Sequence, residues 1–161
     1  MQTRVPPGKV VFEVTETAAT DGLSTAQQFM RTLRDLGCRF SLDDFGSGHT
    51  SFSYLKTLPA DFVKIDGMYV LGLDDDPDDY AVVKSIHEVA HAMGKRTIAE
   101  HVQSQVVLER LKAIGVDYAQ GYWLGEPRPL DQHAAFDRTV PLAAASADAL
   151  PAEDVTLRLW G

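Results

Sequence analysis

The sequence predicts an α/β fold, an incomplete (β/α) barrel of the TIM type with about five mainly parallel strands and flanking helices. Three observations predict it. Five short apolar runs recur along the chain, each with the composition of a strand covered on both faces. Amphipathic helical stretches separate most of these runs, so neighbouring strands cannot pair as hairpins and should run parallel through right-handed crossovers. Three of the helical stretches stop at a glycine that leads into the next strand. A closed eight-stranded barrel needs roughly 250 residues, more than the 161 present. The expected sheet is therefore open, with edges that need cover by a second copy or another partner, by an N-terminal segment or by the C-terminal tail.

The first strand is expected at Val10 to Glu13. A helix over 24 to 36 follows, with Ser24 and Gln27 in capping-box spacing and Ala26, Phe29, Met30 and Leu33 on one stripe before Gly37. Strands at Arg39 to Asp43 and Phe62 to Ile65 come next. The helix over 78 to 93 aligns Val82, Val83, Ile86, Ala90 and Met93 and stops at Gly94. After a fourth strand at Arg96 to Ala99, a helix over 104 to 114 opens on Ser104 and carries Val107, Leu108, Leu111 and Ile114 to Gly115. The fifth strand is expected at Val116 to Gln120. Residues 1 to 138 thus form the barrel domain and 139 to 161 a C-terminal tail. The Ala-rich start of the tail reads as linker or weak helix, and Val155, Leu157 and Leu159 alternate like a short strand or apolar clasp.

Composition narrows the function. A formal charge of −8 argues against a DNA or RNA surface, which needs clustered lysine and arginine. Cys38 is the single cysteine, so it forms no internal disulfide, and no secretory pattern stands near Met1; a reducing cytoplasm is the expected compartment. No apolar run is long enough to span a membrane.

The chemistry is expected at the strand ends. Glu13, Asp43 and Asp44, Lys64 and Asp66, Glu100 and Gln120 each follow or close an apolar run. In parallel β/α folds those ends share one rim, so residues distant in sequence should meet there. Each acid alone also reads as a cap or turn residue. Gathered carboxylates repel unless cations neutralise them, and all-oxygen ligands suit Mg²⁺, Mn²⁺ or Ca²⁺ rather than zinc. Lys64 would add a fixed positive charge near a phosphate, or pair with Asp44 or Asp66. A rival signal is HEVAH at 87 to 91, which places His87 and His91 in the zinc-hydrolase pattern; its amphipathic helix makes an outer-surface coincidence the expected explanation.

Four stretches, FEVTET (12 to 17), DDFGSGHTSFSYLKTLPADFVKID (43 to 66), TIAEHVQ (97 to 103) and DYAQGYWLGEPRPL (117 to 130), closely resemble the EAL family of cyclic di-GMP phosphodiesterases. The resemblance covers roughly residues 5 to 138. It implies hydrolysis of cyclic di-GMP to pGpG by a two-metal mechanism. By the same resemblance Glu13, Asp43, Asp44 and Glu100 are metal ligands, Asp44 and Glu100 acting also in catalysis, and Lys64 is the catalytic lysine. Gln120 matches the glutamine of the final strand, and Glu16 the acid that steadies the loop beginning Gly46, Ser47 and Gly48. The sequence departs from the family at His101, where glycine is usual, and at Gln103, where an acid is usual. The family's Glu-Ala-Leu motif and a metal-binding asparagine belong ahead of the Glu13 strand and do not occur in this sequence, so impaired turnover is expected. A non-catalytic module that binds cyclic di-GMP or a protein is the alternative.

Overall fold

The structure, a computed structural model, describes residues 5–15, 23–47 and 52–127 and the backbone of Val140–Pro141. A short 3-10 turn, Pro7–Lys9, precedes β1 (Val11–Thr15), α1 (Leu23–Asp35), β2 (Arg39–Phe45), α2 (Phe52–Thr57) and β3 (Phe62–Ile65). Then come α3 (Gly67–Val70), α4 (Pro77–Ala92), β4 (Arg96–Ala99), α5 (Gln105–Ile114), β5 (Tyr118–Ala119) and β6 (Val140–Pro141). The strands lie in sequence order in one open sheet, β1 to β5 parallel and β6 antiparallel to β5. The expected architecture of about five parallel strands with flanking helices is therefore present.

Local chemistry sets the helix ends. Asp76 accepts a hydrogen bond from the Asp78 amide and Pro77 opens α4, while Ser104 accepts from the Val107 amide to start α5. Gly37, Gly94 and Gly115 follow the three long helices at φ of +98°, +70° and +97°, a region that only glycine enters freely.

The two faces of the sheet differ. Alternation sends Phe40, Leu42, Val63, Ile65 and Ala99 to the helix side, where they meet Met30, Val83, Ile86, Ala90 and Leu111 in the main core. The other face starts with a small cluster of Val11, Phe62, Ile98 and Tyr118. Arg39 stacks over Phe62 at 5.4 Å and Arg96 over Tyr118 at 6.0 Å, so cations close the lower end of that face. Among the described residues no helix is long and apolar enough to cross a membrane.

Several expectations are corrected. Ser24 lies inside the first turn of α1 rather than at its cap, and Phe29 is 53% exposed although it edges onto Phe12 and Phe40. α2 and α3 are too short to leave a periodic signature and were not expected. Val140–Pro141, expected as linker or weak helix, joins the sheet edge, a position where proline's missing donor is tolerated. The alternation at 155 to 159 lies outside the described residues.

Candidate functional site

Lys64 is the centre of the upper rim. It stands on β3, its side chain 2% exposed, and Nζ lies 2.5 Å from Asp43 Oδ1, 2.7 Å from Glu100 Oε1 and 3.3 Å from Glu13 Oε1. β1, β2, β3 and the end of β4 each contribute one of these four groups. Burial pushes the Lys64 ammonium toward a lower pKa, but Glu100, Asp43 and Glu13 outweigh it and hold it above the ordinary lysine value. Lys64 thus pairs across strands with Asp43, Glu100 and Glu13, and the alternative pairing with Asp44 or Asp66 is not formed. Asp66 instead caps α3, accepting from the Met68 amide at 2.8 Å.

Two consecutive acids in a regular strand would face opposite sides. Here the β2–β3 register shifts between Leu42 and Phe45, and Asp44 takes φ +55°. That bulge breaks the alternation, so Asp43, Asp44 and Glu100 offer oxygens all within 4.8 Å of one another. Partial burial, then Asp43 and Asp66, push the Asp44 carboxyl above the usual aspartate value. The turn that follows is tied down: the Ser47 hydroxyl and amide both donate to the Asp44 carbonyl, at 2.8 and 3.2 Å, and the Tyr69 hydroxyl donates to the Gly46 carbonyl at 3.0 Å. Gly46, at φ +103°, faces the Tyr69 ring so closely that a Cβ would lie 3.0 Å from it.

The remaining expected residues are spread more widely. The Glu100 amide donates to the Ile65 carbonyl at 3.3 Å, which sets its side chain over the end of β3. The Gln120 amide donates to the Ala99 carbonyl at 2.8 Å and its carbonyl accepts from Val102 at 3.0 Å, anchoring it beside β4. Gln103 is exposed on the loop before α5. Glu16 and Gly48 lie outside the described residues. His101, where a glycine is usual in the resembling family, keeps a left-handed backbone at φ +54°, and its ring covers Gly67.

An all-oxygen donor set with surplus negative charge fits a hard divalent cation, since such an ion would relieve the repulsion felt at Asp44. The His-Glu-x-x-His stretch lies on the flanking helix α4 with Glu88 and His91 exposed, as expected, but His87 is buried against β4 with Nδ1 2.8 Å from Thr97 Oγ1. Glu88, however, points away and pairs with Lys84 at 3.8 Å, so the motif lacks its acid and base group. Tyr69, Thr97 and Asp117 were not singled out from the sequence; their contacts are long-range, and no local periodicity announces them.

A family model described as EAL domain matches residues 1–127. Over 126 residues the chain is 49% identical to the cyclic di-GMP phosphodiesterase PdeB of Shewanella oneidensis, covering 78% of this chain and 15% of that protein. It is 34% identical over 130 residues to the cyclic di-GMP phosphodiesterase PdeA of Borreliella burgdorferi, covering 81% of this chain and 19% of that one. Among solved structures, the PaMucR phosphodiesterase in complex with c-di-GMP superposes with a TM-score of 0.75 at 34% identity, covering 80% of this chain and 52% of that chain. The FimX domain of Pseudomonas aeruginosa bound to c-di-GMP gives 0.73 at 35% identity, covering 77% and 51%. The chain thus spans less than a fifth of the length of these two curated relatives and about half of the solved domains.

Proposed function

The chain belongs to the EAL domain family, and from that premise we propose that its upper rim serves the hydrolysis of cyclic di-GMP to pGpG with Mg²⁺ or Mn²⁺ bound. The observation that carries the reading is the convergence of Glu13, Asp43 and Glu100 on Lys64 Nζ, with Asp44 beside Asp43 and Glu100. Asp43, Asp44, Glu100 and Glu13 would hold the cations. When bound, divalent cations supply an activated water and charge compensation at the leaving phosphate-ester oxygen. Lys64 keeps three carboxylates in fixed positions and its ammonium charged, which preorganises the rim before substrate arrives. The bulge at Asp43 and Asp44, tied down through Ser47 and Tyr69, prevents the acid pair from relaxing away. Gln120 borders the same rim as a hydrogen-bonding group for the nucleotide, while Gly46, Ser47, Gly48, Glu16 and Gln103 support the loops.

The test is conversion of cyclic di-GMP to pGpG by the purified chain, followed chromatographically with Mg²⁺ or Mn²⁺, with Asp43→Asn as control. Metal-dependent turnover lost in the variant supports the reading and shows that the rim's own residues suffice. Binding without turnover moves the assignment to a non-catalytic cyclic di-GMP module, and the absence of both binding and turnover refutes the reading. A second copy covering the β1 edge and a cytoplasmic setting belong to the same proposal; light scattering that returns a stable monomer would remove the dimer.

A further inference from the structure

A second group of ligand-type side chains lies on the opposite face of the sheet, at the starts of the strands. His87 and His91 stand one turn apart on α4, their ring centroids 4.1 Å apart, and both face Asp117, the residue before β5. His91 Nε2 lies 2.7 Å from Asp117 Oδ2, and one ligand atom from each of the three residues falls within 4.8 Å of the others. We infer that His87, His91 and Asp117 form a binding site for a borderline transition-metal ion, Zn²⁺ first among them, that ties α4 to the start of β5.

Three features favour an ion over a hydrogen-bond network alone. The donors are two imidazoles and one carboxylate, the set that zinc takes with water in the fourth position, whereas the upper rim offers only oxygens. The supporting contacts are those of ligands held from behind: Thr97 Oγ1 lies 2.8 Å from His87 Nδ1 and 3.1 Å from Asp117 Oδ2, and the Thr97 amide donates to Asp117 at 2.8 Å. Gly115 carries no side chain beside His87 Nε2, where a Cβ would lie in van der Waals contact at 3.5 Å, so its backbone leaves that nitrogen uncovered by a side chain of its own. Because Glu88 is turned to Lys84, the site binds without the hydrolytic chemistry its motif suggests. Its role is structural, and it does not depend on the proposed activity.

The test uses the full chain after chelator treatment, titrated with Zn²⁺ by calorimetry and with Co²⁺ by visible absorption, in millimolar Mg²⁺ to mask the rim. One equivalent of Zn²⁺ should bind, Co²⁺ should show the intense band of a low-coordinate nitrogen and oxygen site, and Zn²⁺ should raise Tm. His91→Gln should weaken Zn²⁺ binding at least tenfold and abolish the Tm rise, whereas Asp43→Asn should leave both unchanged. The His91 side chain is 45% exposed, so that variant should fold even where His87→Gln does not. Zn²⁺ binding that survives His91→Gln, that disappears in Asp43→Asn, or that fails under excess Mg²⁺ would overturn the assignment.

Discussion

Replacing Lys64 with methionine keeps the apolar stem of the side chain and removes one ammonium from among three carboxylates. At the observed separations of 2.5, 2.7 and 3.3 Å, and with an effective dielectric constant of about 20, each pair attracts by roughly 5 to 7 kcal/mol. Most of that is cancelled by the water Lys64 gives up, its side chain being 2% exposed. The variant stays under the strain of acids left without a cation, and breaking a buried ion pair on one side costs about 3 to 5 kcal/mol. Glu13 and Asp43 retain 25% and 21% exposure, so water eases part of the repulsion and the lower end, about 3 kcal/mol, is expected. For a domain of this size that corresponds to a fall in Tm of about 6 to 12 °C. Thermal unfolding followed by circular dichroism should show the full loss in chelator. With millimolar Mn²⁺ the variant should regain more than the parent gains, because a bound cation replaces the missing positive charge among the same oxygens. A loss in chelator below about 1 kcal/mol, the scale of an exposed pair, would refute the claim that Lys64 and the acids form one electrostatic unit, as would equal gains from Mn²⁺.

Other positions test how the rim is supported. A Cβ at Gly121 would lie 2.2 Å from the Val102 carbonyl oxygen and 2.3 Å from its amide, so Gly121→Ala should cost more than about 2 kcal/mol in urea unfolding and displace Gln120; a neutral result would mean the two backbones can separate freely. Gly67→Ala would bring a Cβ to 2.4 Å from His101 Cδ2 and 2.9 Å from its Cβ and should cost about 1 to 3 kcal/mol. In a His101→Gly background, which also relieves the left-handed strain, most of that loss should vanish, and a double-mutant cycle without coupling of at least about 1 kcal/mol would contradict the packing described. Lys95 is buried and its Nζ donates to the Leu58 and Ala60 carbonyls at 3.0 and 2.9 Å. Lys95→Met leaves both unpaired and should cost about 1 to 3 kcal/mol by denaturant titration; unchanged stability would show that water reaches those carbonyls.

Signals that repeat within a few residues were legible, and signals that depend on distant partners were not. The three glycine-stopped helices follow from an apolar spacing of three to four, and the five parallel strands from the short apolar runs between them. α2, α3 and β6 have six, four and two residues, too few for either period, and tertiary contact places them. That acids would gather at the rim could be read from the polar closure of each apolar run. Lys64's partners could not: Asp66 is close in sequence but turns to cap α3, while Glu13, Asp43 and Glu100 arrive from three other segments. That Asp44 would join its neighbour at the rim was expected from the strand end and the family resemblance, but the means were hidden: regular strand alternation opposes it, and the shifted register and the positive φ allow it.

Parity explains why so small a set of residues specifies the rim. Val11 and Glu13 share one side of β1, Phe62 and Lys64 one side of β3, and Ile98 and Glu100 one side of β4 and its extension. Each row is apolar where the strand begins and charged where it ends. The apolar lower half excludes water beneath Lys64, which strengthens its attraction to the acids. Moving a charge two residues down any row would bury it without partners, and moving it up would release it to solvent. The position of the charged step within each strand therefore sets the rim's electrostatics, and no single acid does so alone.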